Sequence, residues 1–317
     1  MINDKIQAVI FGCSGTILLP QEADFFNKVN PLGFILFARN IESPQQLKKL
    51  TTDLRACVNR PEAPILIDQE GGRVQRMRAP HWTELPPANT YGMLYDEGKK
   101  EDAFDGLNHH ADVLAQMLLD VGINVDCWPC LDVATPQVSD VLGNRLFSQN
   151  PDTVIALGLY AIDRMLKDGL MPVVKHIPGY GRATVDPHKS LPIVDVSLEE
   201  LERDFAPFRA VKKPVWGMTA HVLYTALDDK NPATVSKKAM DLIRKDIGFD
   251  GFMVTDDISM GALGPDIEKS AIDCLNAGCD AVLHCNGKLD EMQSLAKVVP
   301  PLTDDALNRY LKAKELL

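Results

Sequence analysis

The segment Met171-Pro-Val-Val-Lys175-His-Ile-Pro-Gly-Tyr-Gly-Arg-Ala-Thr-Val-Asp186-Pro-His188 carries the pattern on which the fold turns. It opens on an apolar run, Met171–Val174, without alternation, which suggests a strand buried on both faces. Ionisable residues follow at once. Pro178, Gly179, Gly181 and Pro187 then rule out a regular helix, so the rest reads as a loop.

The same short apolar run recurs along the chain. Ala8–Phe11, Gly33–Ala38, Pro64–Ile67, Asn124–Trp128, Val215–Thr219, Gly251–Thr255 and Asp280–His284 bring the candidate strands to eight. Helical signals lie between them. Ser43-Pro44 is an N-cap with proline at N1, and Leu47, Leu50 and Leu54 share one face behind it. Asn150-Pro151 opens a second helix that stops near Gly169. Ser197 and Glu200 form a capping box ahead of Leu201, Phe205 and Phe208. Ser236 opens a helix ending near Gly248, and another ends near Gly278. Eight alternating units predict an α/β fold, a (β/α)8 TIM-type barrel with irregular strands allowed, as one catalytic domain over 1–317. An open doubly wound sheet is the alternative. It is disfavoured because no strand is followed by G-x-G-x-x-G, and no Walker phosphate loop is present.

Composition narrows the function. The 317 residues carry 33 Lys+Arg against 44 Asp+Glu, a net charge of −11, with 45% hydrophobic residues. That field repels a phosphate backbone or an anionic membrane, so neither nucleic acid nor membrane is an expected partner. No apolar run approaches the ~20 residues of a membrane helix. The start lacks a signal-peptide pattern, and the seven cysteines are odd in number and scattered. A cytoplasmic location with reduced thiols is the expectation. Cys127-Trp-Pro-Cys130 has C-x-x-C spacing, but it lies in an apolar strand-like run with no second pair. It reads as structural.

Catalytic residues of such barrels gather at the C-terminal ends of the strands. Those ends read Asp68-Gln-Glu-Gly-Gly-Arg-Val-Gln-Arg76, Lys175–His188, Thr219-Ala-His221 and Thr255-Asp256-Asp257. Gly71-Gly72 forms a turn and would let backbone approach a ligand. Asp68 and Arg76 suit a neutral, hydroxyl-rich ligand, or else pair with each other as a local salt bridge. Asp256 and Asp257 are consecutive, so a strand turns them to opposite sides, and only Asp256 is expected in the pocket. Asp257 is expected to cap the next turn. Asp186 and His188 flank Pro187. A carboxylate beside an imidazole raises the imidazole pKa and suits it to proton delivery near neutral pH. The bland alternative is a structural Asp–His contact.

Together these segments resemble glycoside hydrolase family 3, in its bacterial β-N-acetylhexosaminidase branch. The resemblance runs from about Gly33 to about Cys285. It rests on Asp68–Arg76, Lys175-His-Ile-Pro-Gly, Asp186-Pro-His188-Lys, Ala220-His221-Val and Thr255-Asp256-Asp257-Ile-Ser-Met. It implies retaining hydrolysis through a covalent glycosyl-enzyme, without a cofactor or metal. Asp256 matches the nucleophile, and His188 with Asp186 the acid/base dyad. Asp68, Arg76, Arg145, Lys175 and His176 match positions that bind N-acetylglucosamine. His221 matches a pocket wall or a residue behind it. The branch further implies N-acetylglucosamine-containing cell-wall fragments (muropeptides) as substrates, peptidoglycan recycling in the cytoplasm, and no second domain. Tyr180 stands where the family usually has histidine, Pro187 where it has serine, and Asn144 where glutamate is common. A monomer is expected, since no exposed apolar stripe stands out.

Two other classes compete. A metal-dependent amidohydrolase would use the histidines as ligands. Its H-x-H after the first strand is missing, where Cys13-Ser14-Gly15 stands. A sugar-binding protein without catalysis would bind N-acetylglucosamine and turn nothing over.

Overall fold

A computed structural model describes residues 5–136, 142–185 and 190–317. Asp186, Pro187 and His188 lie outside the described residues. Eight parallel strands close a barrel in chain order. They are β1 (Gln7–Gly12), β2 (Pro31–Leu36), β3 (Ile65–Ile67), β4 (Val125–Asp126), β5 (Met171–Ile177), β6 (Trp216–Thr219), β7 (Met253–Asp257) and β8 (Ala281–His284). The seam closes between β1 and β8, with Val9 opposite Val282. The barrel reading therefore holds and the open sheet does not.

The sequence explains why these runs are strands. Every residue of β1, β2, β5 and β8 is buried, as expected for strands covered by side chains inside and helices outside. Burying each Val, Ile or Phe contributes roughly 1.5–3 kcal/mol. Helices wrap the outside: α1 (Pro20–Val29), α2 (Pro44–Cys57), α3 (Ala88–Asp96), α4 (Lys100–Asp120), α5 (Pro151–Lys167), α6 (Leu198–Ala210), α7 (Lys237–Asp241), α8 (Ile267–Ala277), α9 (Leu289–Val298) and α10 (Asp304–Lys314). The expected caps form. Ser43 Oγ accepts from Gln46 N, and Asn150 Oδ1 accepts from Asp152 N. Ser197 and Glu200 close their box. Leu47, Leu50 and Leu54 are buried, as are Leu201, Phe205 and Phe208. The helix opened by Ser236 continues past α7 as a π-helical turn, Leu242–Ile247, before Gly248 takes φ 75°.

Two boundaries differ from the sequence expectation in ways that matter for the site. β5 runs three residues beyond Val174. Lys175 and Ile177 pair with Met218 and Thr219 of β6, so Lys175 and His176 sit on the strand end instead of in the loop. β4 is short. Beyond Asp126, the segment Cys127–Val133 leaves the regular ladder and keeps contact through the Cys130–Lys175 bridge and the Leu131 N–Lys175 O hydrogen bond. Cys127 and Cys130 are both free and buried, off any helix. Burial pushes each thiol well above its ordinary range, the opposite of a redox pair.

Candidate active site

The C-terminal ends of the strands surround a cavity of about 220 Å³. Asp68, Arg76, Arg145, Lys175, His176 and Asp256 all line it, although the sequence scatters them over nearly 190 positions. That volume falls below the ~300–1,000 Å³ of drug-sized pockets, which suits one sugar unit.

Its floor is a chain of alternating charges. Arg76 Nη2 donates to Asp68 Oδ2 at 2.9 Å, and Lys175 Nζ to Asp68 Oδ1 at 3.0 Å. Lys175 Nζ also reaches Glu70 Oε1 at 2.7 Å. Arg145 grips Glu70 with two parallel bonds, Nε to Oε2 at 2.8 Å and Nη2 to Oε1 at 2.7 Å. Burial alone would push both carboxyls up. The cations around them outweigh it and hold Asp68 and Glu70 below the usual carboxylate range. Burial would likewise lower Lys175, whose side chain is 1% exposed, but the two carboxylates raise it instead. The floor thus presents fixed donors and acceptors to a neutral polyhydroxyl ligand. Each is held by a charged partner side chain.

Glu70 has no assignment in the sequence reading. Its signal was the spacing Asp68-Gln-Glu70, since two acids two apart on extended backbone share a side. The local fold gives the reason. Gln69–Gly71 pairs antiparallel with Val74–Gln75, which returns Arg76 to Asp68. Gly71 and Gly72 adopt φ 91° and 58°. A Cβ on Gly71 would lie 2.4 Å from Pro86 O, and one on Gly72 2.6 Å from Pro87 Cβ. The glycines therefore admit a neighbouring loop, not a ligand, which corrects that expectation.

Asp256 and Asp257 end β7, and both border the cavity, where only Asp256 was expected. Asp257 nevertheless spends its carboxylate on the chain: Oδ1 accepts from Ser259 N and Cys285 N, and Oδ2 from Ser259 Oγ. It caps the following turn, as expected, although it also borders the cavity. Among the described residues, Asp256 Oδ1 accepts only from Asp257 N. His221 is buried behind this strand end, between Thr234 Oγ1 at 2.8 Å and the Asp257 carbonyl at 3.1 Å. Burial lowers its pKa, with Asp256 opposing.

His176 borders the cavity with its Nδ1 turned away, 2.7 Å from Asp132 Oδ2. Asp132 is fully buried, and the sequence reading gave it no role. Among the described residues, Cys130, Asp132 and His176 bring ligating atoms within 4.8 Å of one another. The carboxylate is already committed to the backbone of His176 and Tyr180 as well as to the ring. Asp132 and the Nδ1 edge of His176 are thus already engaged in hydrogen bonds.

A closed parallel barrel with an ionic cavity at the C-terminal ends of its strands is the architecture of TIM-barrel enzymes. The comparison with known families agrees: residues 21–310 match the model of the glycosyl hydrolase family 3 N terminal domain. The chain belongs to glycoside hydrolase family 3 and is a glycoside hydrolase. It is 40% identical over 260 residues to a β-hexosaminidase of Neisseria gonorrhoeae, covering 80% of this chain and 71% of that one. The crystal structure of NagZ from the same organism, in complex with N-trifluoroacetyl-D-glucosamine, superposes with a TM-score of 0.89. It is 34% identical and covers 99% of this chain and 91% of that one. A family 3 β-N-acetylglucosaminidase from a Paenibacillus species superposes at 0.87 with 29% identity, over 98% of this chain and 61% of that one.

Proposed function

We propose that this protein is a retaining β-N-acetylhexosaminidase that removes terminal β-linked N-acetylglucosamine from muropeptide fragments. The likeness to β-hexosaminidases over most of the chain supports the reaction class. The observation that carries the site is the meeting of Asp68, Arg76, Arg145, Lys175 and His176 with Asp256 around one cavity. In this reading the ionic floor binds the hydroxyl groups of the sugar, and Asp256 attacks its anomeric carbon. His188, supported by Asp186, protonates the leaving oxygen and then deprotonates the water that releases the sugar. Asp256 suits the first role because a strand end fixes it and, among the described residues, its second oxygen is not spent on a backbone partner.

In this reading residues 1–317 act as one catalytic barrel and as a monomer, since no apolar stripe stands out in the sequence. The cytoplasm is the proposed location. Seven free cysteines fit a reducing compartment, and no described helix is long and apolar enough to cross a membrane. The test is Asp256→Ala with an aryl β-N-acetylglucosaminide. Turnover is expected to fall by orders of magnitude while the unfolding midpoint stays within a few degrees. Near-normal turnover removes Asp256 from the chemistry.

A further inference from the structure

The geometry points to Asp132 as a positioning residue that sets the proton arrangement of His176 and the course of the chain leaving β5. This rests on the reading of His176 as a sugar-binding residue.

The two oxygens of Asp132 have different work. Oδ1 accepts from Tyr180 N at 2.6 Å and from His176 N at 3.1 Å. Oδ2 faces the His176 ring, 2.7 Å from Nδ1, and lies 3.2 Å from His176 N. A carboxylate can only accept, so Nδ1 carries the hydrogen of that bond. In the neutral ring, Nε2 is then left as an acceptor on the edge turned from Asp132. His176 lines the cavity and Asp132 does not, so that acceptor meets the sugar. A ligand hydroxyl or amide N–H can donate to it.

The same carboxylate ties His176 to Tyr180 four residues on, and further clamps continue the line. The Tyr180 ring meets His176 edge-on at 5.5 Å. Tyr180 Oη donates to Val185 O at 3.1 Å, and Thr135 Oγ1 to Gly181 O at 3.0 Å. Gly181 fits because a Cβ there would stand 1.9 Å from Val133 O. The described chain from Lys175 to Val185 is therefore held from the Leu131–Thr135 segment, with Asp132 at its centre.

Asp132→Asn separates the two jobs. Asparagine keeps an oxygen for the backbone amides and puts an NH2 against Nδ1. The ring must then accept there and carry its hydrogen on Nε2, which opposes a donor in the ligand. With an aryl β-N-acetylglucosaminide, kcat/KM is expected to fall about tenfold to hundredfold, mainly through KM. In a His176→Ala background the same change should cost less than about twofold, because its target is gone. An equal loss in both backgrounds, or none in the first, overturns the inference. The tautomer is read independently by 15N NMR of histidine-labelled native enzyme. Nδ1–H at His176 supports the assignment and Nε2–H overturns it, even where the variant does not fold. Absence of wild-type turnover would count against the proposed function, while the tautomer measurement would still judge Asp132.

Discussion

Replacing Lys175 by methionine removes one charge from the centre of the ionic floor and keeps nearly the same shape. Lys175 is 1% exposed and serves Asp68 at 3.0 Å and Glu70 at 2.7 Å. Breaking a buried pair costs about 3–5 kcal/mol, because the remaining charge is left without compensation. Here Arg76 still holds Asp68 and Arg145 still holds Glu70, so the loss should sit near the lower end, about 3 kcal/mol. Urea unfolding followed by the fluorescence of the buried Trp128 and Trp216 measures it. The loss should also depend on pH. The folded pKa values of Asp68 and Glu70 are lowered, so their stabilisation is present above the unfolded values near 4 and is lost as pH falls toward the folded ones. In the variant each carboxylate keeps one cation fewer, so its protonation costs less. The gap to wild type should therefore be full at pH 7 and shrink below about pH 4. A gap under about 1 kcal/mol at pH 7, or one that widens in acid, would refute the coupled floor.

The other predictions concern separate groups. His188→Ala should slow hydrolysis of glycosides with poor leaving groups by about 10²–10⁴-fold, and of activated aryl glycosides far less. An equal loss on both would argue against an acid role. Asp126 is buried at the base of the floor. Its Oδ1 accepts from Gln69 N, and its Oδ2 has no partner among the described residues. Burial raises its pKa to about 8. The folded state then holds a proton that the unfolded chain releases above about pH 4, so this group makes stability fall as pH rises from about 4 to 8. Asp126→Asn should gain stability over wild type across that window, by up to about 1.4 kcal/mol per pH unit. A pH-independent difference would show that the carboxyl titrates normally.

Strand existence was legible because apolar runs buried on both faces announce themselves, and caps such as Ser43, Asn150 and Ser197 left one local solution. The helices α3 and α4 carried no comparably clear start. Pro87 and Lys99, which precede them, make no side-chain cap. The end of β5 was misplaced because Lys175 looks like loop chemistry. In the fold its charge is absorbed by Asp68 and Glu70, so strand pairing continues through it. Asp68 and Asp256 could be read from position, since they stand at strand ends, and Arg76 from the loop that follows Asp68. Arg145 could not, because it lies in a short 3-10 turn, Gly143–Arg145, away from any strand. Glu70 and Asp132 escaped notice for another reason. Their work is to hold Arg145, Lys175 and His176, and such partnerships become visible only when distant segments meet.

If Asp256 is the nucleophile, it forms a covalent bond to the sugar during turnover. The most direct measurement uses a fluorinated aryl β-N-acetylglucosaminide that forms the glycosyl-enzyme faster than water clears it. The quenched enzyme is then digested and its peptides weighed. One sugar-derived mass on the peptide containing Asp256, absent in Asp256→Ala, is the predicted result. An adduct on another carboxylate, or turnover with inverted anomeric configuration and no adduct, would contradict it.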